Sequence, residues 1–151
     1  MEFPTKYEQI LQRMQSIDPI RYGQTRNYLN GGVTYLSPYI SRGVISTKMV
    51  LQSMLEKGVS FNDMESLIQE LCWRDYFQRV AQVKDLQQEI KQQQTPVTNH
   101  ALSSSIIKGT SGIEGIDKAI HDLYTTGYMH NHCRMYTASL ACNIAKSYWL
   151  H

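Results

Sequence analysis

Cysteine is scarce in this sequence. The three present, Cys72, Cys133 and Cys142, are odd in number and show no Cys-x-x-Cys spacing, so no disulfide framework is predicted. That usage fits a reducing compartment and predicts a cytoplasmic protein. Charge of one sign is also lacking: 15 Lys and Arg against 13 Asp and Glu leave a net +2, which permits nucleic-acid contact without announcing it. No apolar run approaches the length needed to span a bilayer. Residues 1–6 lack the apolar stretch of a signal peptide. Alternating strand patterns are scarce, and no repeat recurs at a solenoid period. Gly109, Gly112 and Gly115 follow no buried strand, so they are not a dinucleotide fingerprint. His130, His132 and Cys133 are close in sequence but point in different directions on a helix, and no zinc-type spacing occurs, so no metal site is predicted. No Ser-His-Asp arrangement can be read, and no catalytic residue is assigned.

What is there is helical patterning. The 151 residues, 42% apolar and 19% charged, suffice for one soluble domain burying roughly two-thirds of its unfolded surface. Tyr7, Ile10, Leu11, Met14 and Ile17 follow 3–4 spacing, with Pro4 suited to an N1 position. Ser37-Pro38 reads as N-cap plus N1 of a short helix ending at Gly43, and Ser46 caps another ending at Gly58. Ser60 starts a long helix with Asp63 in its first turn and Met64, Leu67, Ile68 and Leu71 along it. Ile116, Ala119, Ile120 and Leu123 mark a helix closed by Gly127, and a last helix is predicted over about 131–148. Residues 87–105, rich in Gln, Ser and Thr with Pro96, begin as a possible extension of the long helix and end as a polar surface loop. The predicted class is all-α.

Three clusters carry chemistry. Gly31 to Tyr39 joins a glycine turn, the hydroxyls of Thr34 and Ser37, and a helix start whose free N–H groups favour an anion; plain capping by Ser37 explains the same residues. Glu70, Trp73, Arg74 and Phe77 share one helical face, which reads equally as a Glu–Arg pair beside two core aromatics. Around Gly127, Tyr128, His130, Asn131, His132, Arg134 and Met135 crowd one helix start. There Asn131 and Arg134 present donors and an acceptor on one face, suited to a planar heterocycle or an anion.

All three clusters resemble motifs of the photolyase/cryptochrome family, in that family's order. Thr126 to Met135 resembles TGWMHNRxRM, with Tyr128 in place of the usual Trp, and Ala138-Ser139-Leu140 and Trp149 also fit. Thr34 with Leu36 to Tyr39 resembles T-[ST]-x-L-S-P-Y-L, with Val33 replacing its first Thr, and Glu70 to Phe77 resembles E-L-x-W-R-E-F-Y. Tyr22 followed by Arg26-Asn27 is similar to Tyr-x-x-x-Arg-Asp; Gly112 and Asp117 to Leu123 resemble T-G-x-x-x-x-D-A-x-x-x-L, with His121 where Arg is typical. The resemblance implies FAD as cofactor, with Tyr22, Thr34, Leu36, Ser37, Arg74, Tyr128, Asn131 and Arg134 around it. It implies a damaged-base pocket at Glu70, Trp73 and Met135. Leu67 departs, since many repair members carry Trp one turn before this Glu.

The resemblance therefore implies a helical segment of an FAD-binding domain, residues 1–151. The α/β antenna domain is absent from it, and so is the portion beyond Trp149 that supplies further flavin contacts and most relay tryptophans. The implied chemistry is light-driven electron transfer from reduced FAD to a pyrimidine dimer in damaged DNA. The rival is a non-catalytic module: a cryptochrome-like sensor, or a helical remnant without flavin. Half a pocket also predicts weak FAD retention or none, and self-association through an exposed apolar wall.

Overall fold

The computed structural model describes residues 2–28, 30–86 and 97–149. Among them every named element is helical, and the one β-type pairing is an isolated bridge between Asn99 and Ser147. The chain is all-α, as its periodicity predicts. None of the described helices is long and apolar enough to cross a membrane. Packing divides the described residues into two compact units, one over Glu2–Val83 and one from Lys84 onward.

The first unit holds α1 (Tyr7–Gln15), α2 (Pro19–Thr25), α3 (Ser37–Ser41), α4 (Thr47–Glu56) and α5 (Phe61–Val83). Its core draws Ile10 and Met14 from α1, Leu36 and Tyr39 from around α3, Val50 and Met54 from α4, and Met64 and Leu67 from α5. These are the 3–4-spaced positions, whose burial outweighs weak local helix propensity. Ser46 caps α4 by accepting from the Met49 N–H at 3.1 Å. Ser60 and Asp63 satisfy each other at the start of α5, at 2.8 and 3.3 Å. Gly43 and Gly58 turn the chain after α3 and α4 with φ of +71° and +70°.

Several boundaries differ from expectation. Pro4 does not open α1, which begins at Tyr7; the Pro4 carbonyl instead accepts from Tyr39 Oη at 2.9 Å. Ser37 is the first residue of α3 rather than its cap, and Leu36 occupies the cap without a side-chain hydrogen bond. Pro38 is tolerated there because early helical N–H groups have no intrahelical partner to lose. The short α2, opened by Pro19 and capped by Asp18, carries no long apolar stripe and has no periodic signature.

The second unit holds α6 (Ser104–Lys108), α7 (Glu114–Thr126), α8 (Asn131–Ser139) and a π-helical turn (Leu140–Ile144). Ile106, Ile116, Ala119, Ile120, Met129, Cys133 and Ala141 form its core. Gly127 closes α7 with φ +72°. The last helix stops at Ile144 rather than reaching Tyr148. Beyond it the Lys146 carbonyl accepts from the Thr98 and Asn99 N–H groups at 3.1 and 3.2 Å, and the Asn99 carbonyl accepts from the Tyr148 N–H at 2.8 Å. Those bonds replace helical ones, so tertiary pairing ends the helix. Of the predicted polar loop, 87–96 lies outside the described residues, while Ser104 and Ser105 belong to α6. The long α5 ends at Val83.

Candidate functional site

In the first unit α2 packs against α5, and that packing builds a polar cluster. Arg26 Nη1 lies 2.5 Å from Glu70 Oε1, and its guanidinium sits 5.5 Å from the centre of the Tyr22 ring. Burial pushes the Tyr22 phenol above its ordinary value, Arg26 opposing and Glu70 assisting. Burial also works against charge on Arg26, but the Tyr22 and Glu70 contacts outweigh it and raise its pKa. The Glu70–Arg74 ion pair that helical spacing allows does not form. Glu70 is taken by Arg26, and Arg74 Nη2 donates to Ser41 Oγ of α3 at 2.5 Å. Arg74 Nε is buried without a hydrogen-bond partner.

Trp73 is not a core residue. It is 48% exposed, stacked on Phe77 with centroids 5.7 Å apart and meeting Tyr76 edge-on at 5.7 Å. Beyond Leu71 the helix turns aromatic rings outward, because the core contacts of α5, buried at Met64 and Leu67 and partly buried at Ile68 and Leu71, end there.

The segment before α3 is tightly built. A Cβ on Gly31 would fall 1.7 Å from the Thr25 carbonyl oxygen, so glycine is required where this turn meets α2. The Gly32 N–H donates to Thr25 Oγ1 at 2.8 Å. Thr34 Oγ1 accepts from the Leu36 N–H at a long 3.4 Å, and Ser37 makes no side-chain cap bond, which removes plain capping as the explanation for it. Leu36 is 1% exposed; its side chain belongs to the core, leaving only backbone atoms for any ligand.

In the second unit Tyr128 is half-buried, and its N–H donates to Thr126 Oγ1 at 3.2 Å. Asn131 opens α8 and is exposed. Arg134 Nε donates to the Met129 carbonyl at 3.1 Å, and Met135 is exposed one residue further on. His130 caps this helix, its Nδ1 accepting from the His132 N–H at 3.2 Å. Asp117 fixes the turn before α7 by accepting from Ser111 Oγ at 2.6 Å and from the Ser111 and Gly112 N–H groups at 2.8 and 2.9 Å. The Ser111 hydroxyl bond, then the backbone bonds, hold its carboxyl below the usual range. Among the described residues no group of three or more His, Cys, Asp or Glu could hold a metal ion.

A family model described as the FAD binding domain of DNA photolyase matches residues 67–151. The chain belongs to that family. A deoxyribodipyrimidine photo-lyase of Alkalihalophilus pseudofirmus is 27% identical over 114 residues, covering 72% of this chain and 24% of the relative. A Synechocystis cryptochrome DASH is 29% identical over 135 residues, covering 80% and 27%. The crystal structure of a Synechocystis cryptochrome superposes with a TM-score of 0.78 at 25% identity, over 99% of this chain and 34% of that one. A class III photolyase from Agrobacterium tumefaciens gives 0.78 at 20% identity over 97% and 32%, a likeness of fold. The chain thus spans between 24% and 34% of the length of these relatives.

Membership in the photolyase FAD-binding family implies FAD, and the donors of the first unit fit such a group. A buried guanidinium N–H without a partner costs free energy that an anionic ligand recovers, and Arg74 Nε is one. The photolyase-type motifs did not give Arg26 a site role, although its i,i+4 spacing from Tyr22 is a helical signal. Ser41 had no local signal, since its contact with Arg74 joins residues 33 apart in sequence.

Proposed function

We propose that this chain is the flavin-holding segment of a light-driven DNA repair protein that splits pyrimidine dimers. The observation that carries the reading is the outward aromatic face of α5, with Trp73 48% exposed one turn from Glu70. A base flipped from a duplex gains by stacking on such a ring. Arg26 holds the Glu70 carboxylate in place, so that its second oxygen is left to accept from the lesion. By resemblance to the family's motifs, Arg74, Ser37, Thr34, the Leu36 backbone and Tyr22 are the proposed cofactor contacts of the first unit; Tyr128, Asn131 and Arg134 are those of the second, with Met135 its proposed lesion-side residue. Reduced FAD, when bound, supplies the electron. The protein's part is to bind, orient and exclude water.

The test is titration of the FAD-treated chain with dimer-containing and undamaged oligonucleotides, with flavin absorbance as the loading control and dimer loss under blue light as the activity. A preference for the damaged strand that Trp73→Ala narrows, at an unchanged salt slope, supports lesion stacking; equal affinity for both strands refutes it. Loading by this chain alone is expected to be weak, and the exposed α5 face favours self-association, which sedimentation measures. The sparse cysteines keep the proposed location cytoplasmic.

A second reading, a non-catalytic cryptochrome-like flavoprotein or a helical module without flavin, is favoured by Leu67. It is 4% exposed and part of the core, so no second aromatic wall faces Trp73 from that position. Flavin loading without dimer loss selects the former, and absence of flavin selects the latter.

A further inference from the structure

Tyr35 stands in the left-handed region with φ +54°, between the two hydroxyl residues Thr34 and Ser37. A bulky side chain is an outlier there, and such a residue persists only where its surroundings over-determine it. Part of that surrounding is Phe3, in the stretch from Glu2 to Pro4. The Phe3 ring meets the Tyr35 ring edge-on, centroids 6.3 Å apart, and meets Tyr39 at 6.3 Å. Tyr39 Oη donates to the Pro4 carbonyl at 2.9 Å. From α1, Arg13 Nη2 donates to the Glu2 carbonyl at 2.8 Å, and its guanidinium lies 5.3 Å from the centre of the Phe3 ring. Phe3 therefore meets both ends of the Tyr35–Tyr39 stretch, while its neighbours Glu2 and Pro4 are held by Arg13 and Tyr39.

We propose that Phe3 is a positioning residue: packed as an edge against Tyr35, it holds that residue left-handed and so sets the Thr34 and Ser37 hydroxyls for an anionic cofactor group. A left-handed residue followed by Leu36 in the right-handed region (φ −91°, ψ −14°) turns neighbouring N–H groups toward one side, as anion-binding concavities do. The inference rests on the FAD reading above for its ligand, but not for its geometry.

The experiment compares Phe3→Ala, Phe3→Tyr and Tyr35→Gly, singly and as the Phe3→Ala/Tyr35→Gly pair, in the whole chain. Circular dichroism confirms folding. The Tyr35 amide-to-α-proton coupling and α-carbon shift, read by NMR without flavin, report its φ. FAD titration reports the grip. Phe3→Ala is expected to move Tyr35 out of the left-handed region and to weaken FAD about fivefold, the factor that follows from releasing one strained residue. Phe3→Tyr keeps the edge contact and restores both. In the Tyr35→Gly background Phe3→Ala changes FAD affinity little, because glycine adopts positive φ unaided. A Tyr35 φ unmoved by Phe3→Ala, or an equal affinity loss in both backgrounds, overturns the proposal. If the wild-type chain takes no FAD at all, the cofactor reading fails and the NMR arm alone decides the role of Phe3.

Discussion

Replacing Trp73 with Ala tests where the core of the first unit ends. Trp73 is 48% exposed, and its packing within the described residues includes Phe77 and Tyr76, themselves 61% and 54% exposed. An aromatic pair contributes about 0.5–1.5 kcal/mol when well packed, and rings half in water sit at the low end. Alanine also returns about 0.5 kcal/mol through helix propensity. Two such contacts sum to about 1 kcal/mol, so the expected net loss is about 0.5 kcal/mol. Met64 lies about two and a half turns earlier on the same helix at 1% exposure, and Met64→Ala should cost about 2–5 kcal/mol. Urea unfolding followed by circular dichroism, with equal slopes for all variants, gives both values. If Trp73→Ala costs as much as Met64→Ala, the ring is core after all, and any loss of DNA binding in that variant is a folding effect rather than lost stacking.

Three further outcomes follow from the same structure. Arg26→Ala and Glu70→Ala, in a double-mutant cycle, should show a coupling of about 0.5–1 kcal/mol, because their side chains are 26% and 42% exposed and solvent screens the pair; additive effects would mean the pair contributes nothing. Asp117 has a depressed carboxyl, so its contribution is present above the unfolded value near 3.8 and is lost as pH falls through the lower folded value. Thermal melts against pH should therefore show an acid limb that Asp117→Asn flattens, and an unchanged limb would refute the assignment. In a flavin-loaded preparation Arg74→Ala and Arg134→Ala should each lower the flavin-to-protein absorbance ratio, since each removes a charge-assisted donor worth about 1.5–3 kcal/mol; unchanged ratios for both would make these ordinary surface arginines.

Which parts of the fold were legible follows from the range of the forces involved. Helix class, the caps at Ser46 and Ser60, and the closures at Gly58 and Gly127 rest on contacts within a few residues, so spacing and residue type suffice to read them. The motif positions were read by resemblance to those of the photolyase/cryptochrome family. Termination of the last helix was not, because it depends on Lys146 and Asn99, 47 residues apart, exchanging backbone bonds.

By itself, then, the sequence determined an all-α chain and its apolar stripes, since periodicity and local hydrogen bonding are written in order along the chain, while its motifs marked the family by resemblance. Tertiary structure decided partnership. It gave Glu70 to Arg26 and Arg74 to Ser41, sent Leu36 and Leu67 into the core while leaving Trp73 in water, and laid Phe3 across Tyr35. A charged or aromatic side chain can satisfy itself with any of several neighbours at helical spacing. Which one it takes depends on which helix packs alongside, and that choice is made by the burial of the whole unit.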